Sequence, residues 1–356
     1  MSPASVLDDA ATYERHDPQS MRGRFASLPK QARSAWADGQ RWELPRSFHT
    51  PRRVVVAGVG GSAIGGDLVA TLAATATATP VQMLRGYDAP AADPDTLLVA
   101  SSFSGNTEET LAAFQEAAGG PGMCLAITTG GRLAALARAR GAPLFEYRWD
   151  GPPRTAFGYG VFPLLAILER LGAIAVDHAQ LERGFQALVD GAARWGPAVP
   201  EASNLAKQLA RRLYGRIPLV VGADHLDVAA RRWSAQLNEN AKQWAFHGAL
   251  PEMNHNLVAG FGFPPAAPSL LCVLVLDSLA AHHRVRLRVG LTAELLAEAG
   301  IQHHVQLVPG ATVLESLLSA CYLGDWVSLY IAMLNGSDPT PTPALDWLKR
   351  TLSQRE

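Results

Sequence analysis

The stretch VVVAGVGGSAIGGD, Val54 to Asp67, decides how the first half of the chain is read. Its opening apolar run has the pattern of a strand buried on both faces. Five glycines and a serine follow, the last two glycines opening a helical stretch. Glycines let backbone N–H groups approach an anion closely, and a helix start adds its positive end. GVGGSA also satisfies the GxGxxA pattern of dinucleotide-binding turns. Such a site wants an acidic residue at the end of the next strand. In VQMLRGYD, Arg85 stands at the expected strand end and Asp88 lies beyond it. An arginine there could suit a 2′-phosphate, so an NAD(P) reading is weakened but open, as is a plain turn without ligand.

Outward from this loop, strands alternate with helices. VQMLRGY, TLLVASSFS and GMCLAITT read as strands, and GGDLVATLAATA, EETLAAFQEAA and RLAALARARG as helices. FGYGVFPLLAILERLG closes the first half as a long helix. The second half repeats the rhythm, with strands at IPLVVGAD, SLLCVLVLD and QHHVQLVP. LDVAARRWSAQLNENAKQWAF and GLTAELLAEAG are its helices, and LESLLSACYLGDWVSLYIAMLNG its closing helix. Units of this kind imply parallel sheets covered on both faces, an α/β class of two three-layer αβα halves. The expected division is a peripheral N-terminal helical segment over 1–50, a first domain over 51–178, a linker over 179–204 and a second domain over 205–356 with C-terminal helices.

The totals agree with that plan. At 356 residues the chain is about twice the usual domain size. Apolar residues at 48% and charged ones at 18% are ample for packed cores and speak against disorder. A formal charge of −1 gives no support for nucleic-acid or anionic-membrane partners. The short basic clusters RRW and HHRVRLRV read as solvated faces. Cys124, Cys272 and Cys321 stand singly in apolar surroundings, as buried thiols rather than a disulfide framework. No signal peptide is read at the N-terminus, and the apolar run Leu270 to Leu276 is far short of a membrane span. The expectation is a cytoplasmic protein.

A second loop, ASSFSGNTEETL from Ala100 to Leu111, narrows the function. Ser101, Ser102, Ser104, Asn106 and Thr107 crowd the entrance to a helix, with Gly105 among them. Asn106 with Glu109 three residues on reads as a capping box, which explains one or two of these polar groups but not five. Hydroxyls together with helix-start amides make a cage for a phosphate monoester without lysine or metal. No GxxxxGK[ST] loop occurs, which argues against an ordinary P-loop nucleotide enzyme.

Six segments carry a resemblance: GVGGSAIGGDL, SSFSGNTEETL, PPRTAFGYG, NENAKQ, PEMNHN and YLGDWVSLYIAMLNGSDPTPTPALDWLK, spread from residue 58 to residue 349. With them the sequence resembles the sugar isomerase (SIS) domain superfamily, and within it the bifunctional phosphoglucose/phosphomannose isomerase family, which has two SIS domains per chain. The SxSGxTxET type of loop is common to the superfamily. NENAK together with PExNHN is much more specific. The resemblance implies two flavodoxin-like SIS halves and an aldose–ketose isomerase. Glucose 6-phosphate and mannose 6-phosphate would each be converted to fructose 6-phosphate through a cis-enediol, with no cofactor and no metal. It also implies a homodimer.

The resemblance assigns roles to individual residues. Glu239 corresponds to the base that moves the proton between C1 and C2. His255 corresponds to the ring-opening acid/base, reaching the site from the neighbouring subunit, and Lys349 to the lysine that assists it. Arg154 matches the arginine that stabilises the enediolate. Thr342 matches a small residue that leaves room for the C2 epimer, with Thr340 as a shifted alternative. Gly60, Gly61, Ser62, Ser102, Ser104 and Thr107 would hold the phosphate and sugar. The family usually has Glu after NHN, where Leu257 stands here.

Taken alone, the same residues allow plainer readings. Trp233, Leu237, Ala241 and Trp244 form one apolar stripe at helical spacing, with Glu239 on another face, where it could be a solvated carboxylate near Lys242. His255 could be a merely exposed loop histidine, although the two flanking asparagines could orient its ring. Arg154 could cap a helix or bind a surface acid. Pro152 and Pro153 restrict the backbone before it. A non-catalytic sugar-phosphate sensor is the second functional reading. The five filled positions Glu239, His255, Arg154, Lys349 and Thr342, and the lack of a helix-turn-helix pattern beside the halves, favour the enzyme.

Overall fold

A computed structural model describes residues 6–76, 79–89, 93–352 and 354–355, so the first five residues of the expected N-terminal segment lie outside it. Three helices lead the chain: α1 (Ala10–His16), α2 (Met21–Ala26) and α3 (Leu28–Arg41). They are followed by β1 (Arg53–Ala57), α4 (Gly61–Ala76), β2 (Val81–Leu84), β3 (Thr96–Ser102), α5 (Glu108–Ala117), β4 (Met123–Thr128), α6 (Gly131–Arg140), β5 (Leu144–Glu146) and α7 (Phe157–Arg170). Next come α8 (His178–Trp195), α9 (Leu205–Leu213), β6 (Ile217–Ala223), α10 (Asp227–Glu239), β7 (Phe246–Leu250), α11 (Ala267–Leu270) and β8 (Leu271–Asp277). The chain closes with α12 (His283–Glu298), β9 (Gln302–Leu307), α13 (Val313–Leu334) and α14 (Pro343–Leu352).

These elements form two compact units, one of Ser27–Leu188 with Val313–Glu315, the other of Met1–Ala26, Val189–Thr312 and Ser316–Glu356. In the first unit all pairings are parallel and the strand order is β2-β1-β3-β4-β5. That is the flavodoxin-like order, whose binding crevice opens where connections depart in opposite directions, between β1 and β3. Val55 pairs with Gln82 on one side and Leu98 on the other. All seven residues of β3 are buried, as a central parallel strand requires. Helices α4 and α7 cross at two glycines: a Cβ on Gly65 would lie 2.0 Å from the carbonyl oxygen of Gly160. The second unit repeats the order through four parallel strands, β7-β6-β8-β9.

Both closing helices stop as expected, with Gly172 and Gly336 at φ 70° and 63° just past α7 and α13. Helix α13 is long and apolar enough to cross a membrane, yet 94% of its most apolar window is buried in this fold, so it is a core helix. All three cysteines are buried and free.

Several readings need correction. The leading segment is not peripheral: Leu7 and Met21 have no exposure and Phe25 is buried, while Ala32 and Ala35 are fully buried in the other unit. Tyr13 packs edge-on to Tyr330, Phe25 packs edge-on to Trp326, and Tyr322 Oη donates to the carbonyl of Phe25. Much of the expected linker is α8, an 18-residue helix. Its Gly191 is a packing glycine, since a Cβ there would fall 2.7 Å from the Trp195 ring. The helix expected to run through Phe246 ends at Glu239, because Lys242 takes φ 54°. Phe246 then opens β7, and Trp244, expected in the apolar stripe, is 70% exposed.

Candidate functional site

In the first unit the two glycine-rich loops form one structure. Gly60, at φ 59°, turns the chain out of β1, so that Gly61 and Ser62 open α4. The first amides of a helix have no intrahelical partner and point outward from its start. Ser62 Oγ accepts a 3.0 Å hydrogen bond from the amide of Phe103, which joins this loop to the one after β3. There Ser102 Oγ accepts from Gly105 N at 3.1 Å and lies 3.0 Å from Thr107 Oγ1. Ser104 Oγ accepts from Asn106 N at 3.2 Å. Ser102 is buried, Thr107 half-buried and Ser104 exposed, a graded wall of hydroxyls around two helix starts.

The capping box does not form. Thr107 is the N-cap of α5 and makes no side-chain cap bond, while Asn106 Oδ1 accepts from Arg132 N in the first turn of α6. A third loop, after β4, therefore braces the second, and nothing in the sequence reading singled it out. Thr129 Oγ1 donates to the carbonyl of Phe103 at 2.6 Å, and a Cβ on Gly131 would come within 2.2 Å of the Ser104 carbonyl. The signal was TTGG directly after a buried strand.

Arg154 is 4% exposed and sits in a single 3-10 turn, Pro153–Thr155. Gln31 Nε2 donates to the carbonyl of Thr155, and Trp149 Nε1 donates to its Oγ1, so that the turn is held from two sides. The backbone of Arg154 lies against the start of α4: a Cβ on Gly61 would be 3.4 Å from Arg154 N. Gly60, Gly61, Ser62, the serine loop and Arg154 are thus neighbours. Arg85 is engaged by the Asp67 carboxylate on α4, which removes the cation that kept a 2′-phosphate reading open.

The second unit carries the other candidates. One face of α10 is fixed to α13 through buried polar groups. Arg232 pairs with Asp325 at 2.8 Å, both side chains nearly inaccessible; Gln236 Nε2 donates to Asp325 Oδ1 at 2.6 Å; Asn240 Nδ2 donates to Ser328 Oγ at 2.9 Å. Glu239, next to Asn240, is the last residue of the helix and is half-buried. Lys242 does meet Glu239, at its main-chain carbonyl.

His255 is exposed, in a 3-10 turn over Glu252–His255. The flanking asparagines do not orient its ring. Asn254 Nδ2 donates to Thr292 Oγ1 on α12 at 2.9 Å, and Asn256 Nδ2 to Glu252 Oε1 at 3.0 Å. They fix the turn and leave the imidazole directed by neither. Thr342 is half-buried and its carbonyl accepts from Asp346 N at the start of α14, while Thr340 N donates to Asp338 Oδ1. Lys349 is exposed on α14, a helix with no buried residue. At the ends of β6 and β8 the second sheet carries Asp224 and Asp277 where the first has glycines and hydroxyls.

Comparison with known proteins places the chain in a family. The pattern of the family described as bacterial phospho-glucose isomerase C-terminal SIS domain matches residues 202–352. A bifunctional phosphoglucose/phosphomannose isomerase of Caldicellulosiruptor bescii is 36% identical over 332 residues, covering 92% of this chain and 97% of the relative. One of the same name from Aquifex aeolicus is 34% identical over 316 residues, covering 88% and 94%. Among solved structures, a hypothetical protein from Thermus thermophilus superposes with a TM-score of 0.74 at 16% identity, covering 97% of this chain and 92% of that one, a likeness of fold. With a full-length likeness to the first of these enzymes and two sheets of the SIS order, this chain belongs to the bifunctional phosphoglucose/phosphomannose isomerase family.

Proposed function

We propose that this protein interconverts glucose 6-phosphate and mannose 6-phosphate with fructose 6-phosphate. The observation that carries the reading is the joined cradle of Gly60, Gly61, Ser62, Ser102, Ser104 and Thr107, closed by the Ser62–Phe103 bond and backed by buried Arg154. Neutral donors and helix starts suit a phosphate monoester. In this reading the Glu239 carboxylate takes the C2 proton of the open-chain aldose. The electron pair forms the C1–C2 double bond, and the C1 carbonyl oxygen becomes the enediolate oxygen, stabilised by the Arg154 guanidinium; the O2 proton passes to O1, so that the carbonyl forms at C2 as Glu239 returns its proton to C1. His255 and Lys349 exchange the protons of ring opening, and Thr342 leaves space for either C2 epimer.

The working unit is then a homodimer in the cytoplasm, with His255 supplied by the partner subunit. What supports the dimer is uncovered apolar surface on the unit that carries His255. Leu287, Leu291 and Leu295 lie four residues apart on α12 and are 52, 50 and 42% exposed. Leu345, Leu348 and Leu352 on α14 are 42, 55 and 52% exposed. Two such stripes are what a second copy would cover.

Purified protein is expected to form fructose 6-phosphate from both aldoses with a chelator present; no turnover of either overturns the reading. Glu239→Gln should lower kcat by roughly 10²–10⁴-fold. Mixing Glu239→Gln and His255→Ala chains should restore activity in heterodimers. Failure to do so after verified subunit exchange would remove the shared site.

A further inference from the structure

We infer that Lys242 is a positioning residue for the isomerisation: its ammonium ties the carbonyl of Glu239 to the segment that leads to Thr342 and Lys349. The inference rests on the reading of Glu239 as the base.

The backbone makes the first argument. Lys242 has φ 54°, a left-handed conformation that costs little for glycine and more for a lysine. Glycine is the residue that ordinarily ends a helix in this way. A lysine holds this conformation where its side chain makes contacts that glycine cannot.

The side chain supplies it. Lys242 Nζ donates to the carbonyl of Glu239 and, at 3.3 Å, to the carbonyl of Pro339. The first acceptor is one of the carbonyls a helix leaves unpaired at its end. The second lies three residues before Thr342, on the stretch that enters α14 and its Lys349. A parallel tie stands beside it, where Asn335 Nδ2 donates to the carbonyl of Ala241 at 2.9 Å. The turn after Glu239 is therefore fastened twice to the chain leaving α13. Polar contacts from Gln236 and Asn240 hold one face of α10 against α13. Lys242 adds a tie at the carbonyl of Glu239 itself, the residue that carries the carboxylate. A base displaced by a fraction of an ångström loses alignment with the C–H bond it must break, and misplacement near 1 Å can cost about 10²-fold.

The tie is also accessible. Lys242 is exposed and borders a crevice of about 540 Å³ whose lining includes Arg216, Trp244, Asn335 and Ser337. Substitution there opens no core cavity, so catalysis and stability can be separated. Glycine gives the sharpest separation, because it relaxes the backbone while deleting the ammonium.

The test measures kcat, KM and unfolding temperature for Lys242→Gly, Lys242→Met and Lys242→Arg, with Glu239→Gln as control. Lys242→Gly should unfold no lower than the parent, yet both Lys242→Gly and Lys242→Met should lose about 10-fold in kcat for each aldose, with KM within about twofold. Lys242→Arg should recover part of the loss. Parental kcat in Lys242→Gly and Lys242→Met, with Glu239→Gln inactive, overturns the positioning role alone. A raised KM with unchanged kcat also overturns it, since Lys242 would then touch the substrate. Loss of kcat only in step with a falling unfolding temperature reduces the residue to a structural part. Full turnover by Glu239→Gln removes the base assignment and this inference with it.

Discussion

Ser62 Oγ accepts from the amide of Phe103, 41 residues further along the chain, and keeps its own proton free to donate. One hydroxyl can therefore brace two loops and still face a ligand. Ser62→Ala leaves that amide without its acceptor and should cost about 1–2 kcal/mol in denaturant unfolding. Under the proposed function its KM should rise more than its kcat falls. Gly105 is the stricter position: it has φ 65°, and a Cβ would stand 1.9 Å from the Gly130 carbonyl oxygen. Gly105→Ala should lose about 3 kcal/mol or more, read from urea midpoints. The cluster of hydroxyls was legible as more than one helix cap, because five polar groups in seven residues exceed what a single cap uses. The partner of each hydroxyl was not. Asn106 caps α6 rather than α5, because the sheet order sets β3 beside β4 and brings the two loops together.

At the scale of elements, the buried strands were legible where runs such as VVVA and LLCVLVL leave no alternative. Strand β7 was not, because Trp244, Ala245 and Phe246 continue an apolar pattern that α10 had established. What stops the helix is the left-handed Lys242, and lysine carries no turn signal. The buried chemistry of the second unit shows in its histidines. His225 lies 2.8 Å from Ser316 Oγ, and burial holds its pKa below the ordinary value of 6.5. Burial lowers half-buried His304 in the same direction. A histidine kept neutral in the fold takes up a proton on unfolding once the pH passes below its unfolded value. Stability is therefore full above about pH 6.5 and falls as the pH drops toward the depressed folded value. The urea midpoint should be lower at pH 5.5 than at pH 7.5, and His225→Gln should flatten that difference.

Over the whole molecule, two halves with parallel sheets were readable from the alternation of strand and helix, while the allegiance of the leading helices was not. Nothing in the local sequence of residues 6–26 says that they pack with α13 rather than with the strands that follow them. Lys207 shows the depth of the attachment: it has no exposure and donates to Asp8 and to the carbonyls of Pro197 and Val199, each at 2.8 Å. Asp8→Ala leaves a buried ammonium with carbonyl partners only, and should cost about 1–3 kcal/mol, less than a fully buried pair because Asp8 itself is partly exposed. Thermal unfolding of the variant measures it. The same attachment has a consequence for synthesis on the ribosome. Phe25 emerges early, but its carbonyl waits for Tyr322, 297 residues later. At about 5–20 residues per second, that is roughly 15–60 s before Tyr322 and Trp326 are there to meet Phe25. The chain thus emerges with its first apolar helices exposed, and the last long helix to be made is the one that covers them.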